Sequence, residues 1–180
     1  MPAPRLILAS TSRYRRELLQ RLRLPFEVLS PGVDEAPRGG ETSAALALRL
    51  ALAKANAVAA QAGDAVIIGS DQVADLDGQA IGKPGSHERA IEQLQRMSGQ
   101  RVVFHTAVAV VRRDRHFERA LLAPVTVRYR RLSADEIERY LQLDQPYDCA
   151  GSAKSDSLGV ALLDAMDSDD PTALVGLPLI

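Results

Sequence analysis

Apolar and polar positions along the chain fall into segments of two different periods. Arg5 to Ala9 carries the continuous apolar run Leu6-Ile-Leu-Ala9 and predicts a short buried strand. Ser10-Thr11-Ser12 follows with hydroxyls able to cap a helix from Arg13 to about Leu22. Pro25 closes that helix, Phe26 to Leu29 predicts a second strand, and Pro31-Gly32 turns the chain ahead of Val33-Asp34-Glu35 and a loop reaching Glu41. Thr42 or Ser43 caps a long alanine- and leucine-rich helix to about Gln61, apolar nearly all round and so expected to be largely buried. Ala65 to Ile68 opens a β-branched strand that runs on through Gly69-Ser70-Asp71-Gln72-Val73, and Asp77-Gly78 is a hairpin turn before Gln79 to Ile81.

Past the Gly82-Lys83-Pro84-Gly85 break, Ser86 caps a helix to Met97 that Ser98-Gly99 closes. Two long strands then follow, Arg101 to Val111 and Ala120 to Arg131. Ser133-Ala-Asp-Glu136 fits a capping box opening a helix to about Leu143. The segment Pro146 to Ser155 reads as irregular, and Gly159 to Leu163 as a last strand. Strands and helices alternate first and two long strands then stand side by side, which predicts an α/β domain whose mixed, twisted sheet is flanked by helices. No internal repeat or low-complexity linker divides residues 1–180, so one domain is expected.

Composition narrows the class. Hydrophobic residues at 46% and charged residues at 25% are those of a globular chain, and a net charge of -1 supplies no general affinity for nucleic acid. No stable nucleic-acid complex is expected, and phosphate binding must be local. Cys149 is the only cysteine, so no intrachain disulfide forms, and no histidine stands in a motif with it; an inert thiol in a reducing compartment is the expectation. The N-terminus lacks the layout of a signal peptide, and Ala44 to Ala60 is broken by Arg49, Lys54 and Asn56, so neither export nor a membrane span is expected. A cytoplasmic protein follows from these features.

The segment Ser10 to Arg16 joins hydroxyls, free N–H groups at a helix start and guanidinium groups, the combination a phosphate chain requires. An ordinary capped surface helix is the competing reading. Asp71, at the passage from an apolar strand to a polar stretch, and Asp34-Glu35, after a turn, form a set of three carboxylates suited to a hard divalent cation; capping and surface roles are the alternative. Lys83 in its rigid turn and Lys54 within an apolar helix are candidates to meet a phosphate, unless Lys54 snorkels to the surface. His87, His105 and His116 show no metal-ligand spacing. A Walker loop, a G-x-S-x-G elbow and a dinucleotide fingerprint are all missing.

Six ordered blocks now stand out: Leu6–Leu19, Val33-Asp-Glu35, Arg49–Ala55, Gly69-Ser-Asp-Gln-Val73, Gly82-Lys-Pro84 and Gly176-Leu-Pro-Leu-Ile180. Together they resemble the Maf family of nucleotide pyrophosphatases. The resemblance implies a fold of the Maf and inosine-triphosphate-pyrophosphatase type, a divalent metal (Mg2+ or Mn2+), a nucleoside triphosphate substrate and often a homodimer. It implies that Asp71 is the catalytic base on water, that Ser10, Arg15, Lys54 and Lys83 line the phosphate pocket, and that Glu35 joins Asp71 at the metal or positions water. Ser70-Asp71-Gln72 with Ala150–Ser155 resembles the subgroup hydrolysing 7-methylguanosine triphosphate. There Tyr14, Gln72 and Lys154 form a selective wall: Tyr14 stacking on the cationic base, Gln72 offering donor and acceptor, and Lys154 donating. Arg13 departs from the usual Pro, Asp156 from Glu, and Ala107 from a frequent Gly. The alternatives are a dTTP/UTP pyrophosphatase and a non-catalytic nucleotide-binding regulator of septum formation.

Overall fold

The computed structural model describes residues 4–180. In chain order the elements are β1 (Leu6–Ala9), α1 (Arg13–Gln20), β2 (Glu27–Leu29), α2 (Ser43–Ala59), β3 (Val66–Leu76), β4 (Gln79–Ile81), α3 (His87–Met97), β5 (Arg101–Arg112), β6 (Phe117–Tyr129), α4 (Ala134–Asp144), β7 (Leu163–Asp167) and the single turn α5 (Thr172–Val175). The strands form one mixed sheet in the order β2-β1-β3-β5-β6-β7, with β4 hairpinned onto β3. β1 runs parallel to both β2 and β3, and the remaining pairs are antiparallel. Among the described residues no helix is long and apolar enough to cross a membrane.

Alternation along the strands assigns each side of the sheet its cover. Ile7, Ala9, Ile67, Val73, Ala107 and Ala109 pack against α2, while Leu8, Ile68 and Val108 meet α1 and the C-terminal Leu177. Farther along the sheet, Phe104, Val125, Val127 and Tyr129 form a third cluster with α3, α4 and α5. Within β3, Gly69, Asp71 and Val73 thus face α2, whereas Ser70 and Gln72 face the side of α1 and α5.

Two edges of β3 make room for a site. Pairing with β1 stops at Ala9↔Gly69, and pairing with β4 starts at Ala74↔Ile81, so Ser70 to Val73 have a strand on the β5 side alone. The gap lies just past the carboxyl end of β1, where an open α/β sheet offers a crevice. Side chains from both faces of the sheet reach it.

Most boundaries agree with the sequence pattern. Thr42, Ser86 and Ser133 cap their helices as expected, the last in a full capping box, and Asp77-Gly78 turns the hairpin with both residues at positive φ. The helix expected to reach Leu22 ends at Gln20, with Arg23 left-handed at φ 55 in the turn that follows. The strand expected at Gly159 to Leu163 is a correction. Leu158–Leu162 is a 3-10 turn, and the strand is displaced to Leu163–Asp167. Gly159 lies so close to the backbone of Lys154 that a Cβ there would meet its carbonyl oxygen at 2.5 Å, which folds this segment back on itself. The true strand is a mostly exposed edge rich in Asp, so its apolar signal is weak.

One contact sets the spacing of α2 from the sheet. A Cβ built on Gly69 would lie 2.3 Å from Ala51 O and 2.7 Å from Ala55 N, both helix backbone and unable to yield. Gly69→Ala is therefore expected to push α2 off β3 and to cost about 2 kcal/mol or more, at the upper end of overpacking effects. Urea denaturation is the check: a midpoint unchanged from the parent would show that the approach is not limiting.

Candidate active site

The gap beside β3 opens into a cleft of about 360 Å³ lined by Ser10, Tyr14, Arg15, Glu35, Lys54, Gln72, Lys83 and Lys154, among others. Two candidates named from the sequence do not line it: Asp34, and Asp71, which is 6% exposed and bonded to Lys54.

Lys54 settles one open alternative. It is 5% exposed, so its side chain does not snorkel; Nζ lies 2.6 Å from Asp71 Oδ1 and 2.6 Å from Glu35 Oε1. Ala51 and Ala55 bracket Lys54 on the helix, so the close approach at Gly69 carries the ammonium onto Asp71 two residues along β3. Glu35 arrives from the loop before α2, and Arg49 fastens that loop. Its guanidinium donates to Glu41 at 2.6 and 2.8 Å and to the Ala36 carbonyl at 3.0 Å. The same contact holds the Glu41 carboxyl down at about 2. Burial alone would raise the Glu35 carboxyl, but the hydrogen bond and charge of Lys54, with Lys83 and Arg15 farther off, keep it below the usual carboxylate value.

The set of three carboxylates does not form. Asp34 accepts the Ala36 N–H at 3.0 Å in a local turn, and no cluster of three potential acidic, histidine or cysteine ligands occurs among the described residues. Glu35 and Asp71 remain, two hard oxygen donors meeting at one point where a positive charge is already held. That pair fits a divalent cation whose other ligands are phosphate oxygens and water.

The phosphate side of the cleft is built on the turn after β1. Ser10, 3% exposed, accepts the Ser12 N–H at 3.1 Å, and Ser12 caps α1. Arg15 donates through Nε to Gly176 O at 2.8 Å, and its terminal nitrogens have no protein partner among the described residues. Burial pushes its guanidinium below the ordinary value, opposed by the charges of Asp71 and Glu35. Lys83 is exposed at the rim.

At the other end, the Tyr14 hydroxyl accepts from Arg13 at 2.7 Å and donates to Asp148 Oδ1 at 3.2 Å, while the Arg13 guanidinium lies over its ring, 4.7 Å from the centroid. Tyr14 also lines the cleft. Two residues of the expected selective wall spend donors within the fold. Gln72 Nε2 is committed to Thr106 Oγ1 and the carbonyls of Ala173 and Leu174 at 2.9 to 3.0 Å, so only Oε1 is left, an acceptor alone. Lys154 gives its ammonium to the carbonyls of Asp144 and Gln145 at the end of α4, where it offsets the helix dipole.

Cys149 also lines the cleft, but burial pushes its thiol up to about 11, so it is protonated at neutral pH and a poor nucleophile. Asp148 was not singled out in the sequence, where an acidic residue in an irregular stretch has no periodicity to mark it. The carbonyls of Ala173, Leu174 and Gly176 were equally hidden, since backbone groups leave no residue-type signature.

The profile of the family described as "Maf-like protein" matches residues 5–180. The chain is 66% identical over 175 residues to the 7-methyl-GTP pyrophosphatase of Polaromonas sp., covering 97% of this chain and 80% of that one. It is 59% identical over 182 residues to the protein of that name from Bordetella pertussis, covering 100% and 90%. Among solved structures the Staphylococcus aureus Ham1 protein aligns with a TM-score of 0.50 at 18% identity, over 69% of this chain and 71% of that one, a likeness of fold.

Lys54→Met would leave Asp71 buried without its cation. In the parent the depressed Glu35 carboxyl adds stability above its ordinary value, lost as pH falls through the folded one. The variant should be less stable by about 3 kcal/mol at pH 8, and the gap should narrow as pH falls through the folded value of Glu35. Urea midpoints across that fall in pH test this; a gap independent of pH would contradict it.

Proposed function

The chain belongs to the Maf-like protein family, and on that premise we propose that it hydrolyses nucleoside triphosphates between the α- and β-phosphates, 7-methyl-GTP best of all. The observation that carries this reading is the Glu35–Lys54–Asp71 arrangement at the open edge of β3, facing a cleft with the free guanidinium fork of Arg15 and the ammonium of Lys83. Phosphoanhydride cleavage needs fixed positive charge along the phosphate chain and a base for water, in line with the departing pyrophosphate.

Asp71 supplies the base. Its Oδ1 is taken by Lys54, whereas Oδ2 has no donor among the described residues and the side chain keeps 9% exposure. Oδ2 takes the proton of a water attacking the α-phosphorus, the bond to the bridging oxygen breaks, and pyrophosphate leaves with the electron pair. Arg15 and Lys83 hold the phosphate oxygens, and Lys54 orients Asp71 through the bond to its Oδ1. Ser10 adds a hydroxyl beside the helix N-terminus. Glu35 and Asp71 would hold the divalent cation, Mg2+ or Mn2+, which supplies further neutralisation of the phosphate charge.

Base selectivity rests on the opposite end. A 7-methylated guanine carries a fixed positive charge, and the Tyr14 ring already accepts a planar cation in Arg13, with the Asp148 carboxylate at its hydroxyl. Gln72 Oε1, restricted to accepting, matches the N–H groups on the guanine edge. The cleft is thus cationic where the phosphates lie and carries the Asp148 carboxylate where a charged base would lie.

A panel of nucleoside triphosphates assayed for pyrophosphate release tests the reaction. Asp71→Asn is expected to lower turnover at least about a hundredfold while nucleotide still binds, and chelation with EDTA to abolish it. Undiminished turnover in that variant would overturn the assignment of the base.

Tyr14→Ala is expected to lower kcat/KM for 7-methyl-GTP by about two- to thirtyfold, chiefly through KM, with little effect on GTP. If dTTP and UTP are the best substrates of the parent, the selectivity reading fails while the hydrolytic one stands.

A further inference from the structure

The block Gly176 to Ile180 has no side chain in the chemistry just described, yet the segment leading into it shapes the cleft through its backbone. Gly176 O accepts from Arg15 Nε at 2.8 Å and from Ser70 Oγ, next to the base Asp71, at 2.9 Å. Ala173 O accepts from Gln72 Nε2 at 2.9 Å and from Thr106 Oγ1 at 2.8 Å, and Leu174 O takes Gln72 Nε2 at 3.0 Å. The phosphate-facing arginine and the base-facing glutamine are thus aimed by carbonyls of one short stretch of chain.

That stretch does not hold its shape by itself. α5 has four residues, and Gly176 follows at φ 123, a conformation that side chains oppose. What holds it is Asp170, 4% exposed. Its Oδ1 accepts the Thr172 N–H at 2.8 Å and the Thr172 hydroxyl at 2.6 Å, while Oδ2 accepts the N–H groups of Leu179 at 2.8 Å and Ile180 at 2.9 Å. One buried carboxylate therefore clasps both ends of the 170–180 segment, with the three carbonyls between them. Burial would raise this carboxyl, but the donors from Thr172, Ile180 and Leu179 hold it below its ordinary value.

We propose that Asp170 is a positioning residue for substrate recognition: by closing residues 170–180 on itself it sets the carbonyls of Ala173, Leu174 and Gly176, and through them the aim of Arg15 and Gln72. The inference rests on the reading of Arg15 as a phosphate-binding group. Asp170 touches no substrate. Its effect on binding must pass through the side chains that these carbonyls hold, whereas a merely structural residue would lower stability and leave the affinity of the folded protein unchanged.

A double-mutant cycle separates the two, with inorganic tripolyphosphate as the probe and calorimetric Kd as the readout, so that base identity does not enter. Asp170→Asn keeps the size but turns one acceptor oxygen into a donor, releasing one end of the clasp. It is expected to weaken tripolyphosphate binding about tenfold in the parent and less than about twofold in an Arg15→Met background, a coupling of the size found for residues in one network. Should Asp170→Asn fail to fold, Thr172→Val, which removes one arm of the clasp, is expected to weaken binding about threefold with the same dependence on Arg15. Equal effects in both backgrounds, or an unchanged Kd, would overturn the role of Asp170 alone. A parent protein that does not bind tripolyphosphate would overturn the phosphate-pocket reading and this inference with it.

Discussion

The distance between α2 and β3 at Gly69 is the constraint on which the site depends. With a side chain there, the helix backbone at Ala51 and Ala55 would be pushed away, and Lys54 would lose contact with a carboxylate buried behind it. A buried ammonium is tolerable only when fully paired, and so is a buried carboxylate. The glycine therefore brings together two groups neither of which could be buried alone. Glu35 completes the set from the solvent side, held by the loop that Arg49 fastens to the same helix. Helix packing, ionisation and the floor of the cleft are consequences of one missing methyl group.

The second organising feature is the unpaired stretch of β3 between the end of β1 and the start of β4. A strand alternates its side chains between two faces, which usually keeps neighbours in sequence from serving one site. Where no strand lies alongside, both faces open onto the same space. Asp71 can then work with Lys54 from the α2 side while Ser70 and Gln72 are held by the carbonyls of the C-terminal segment on the other. Gln72 lines the cleft and its neighbours Ser70 and Asp71 support it from within because the sheet is split there.

Sequence reading reached these residues by different routes. Helix starts at Thr42, Ser86 and Ser133 were legible because caps are local chemistry, and the Asp77-Gly78 hairpin because its turn demands positive φ. Lys54 stood out as a charge within an apolar helix, although sequence alone could not choose between a snorkelling and a buried ammonium; burial against Asp71 decides it. Asp34 looked equivalent to Glu35 beside it, yet a local turn absorbs its carboxylate. The donor and acceptor inventory of Gln72 and Lys154 was correct by residue type, but two α5 carbonyls and the end of α4 consume most of the donors. Side-chain chemistry is written in the sequence, whereas its competition with backbone acceptors appears only in the fold.

Charge in the ligand-free cleft is largely balanced in advance. Lys54 is matched by two carboxylates, and Tyr14 holds Arg13 on its ring next to Asp148. Lys83 at the rim has no ion pair among the described residues, and Arg15 is a half-buried guanidinium whose only protein acceptor among them is a neutral carbonyl. Its terminal N–H groups therefore face the cleft with the least to lose when an anion arrives, since no salt bridge has to be broken to free them. A triphosphate meeting Lys54 instead competes with Asp71 and Glu35. Under the proposed reading, a divalent cation on the two carboxylates would relieve that competition.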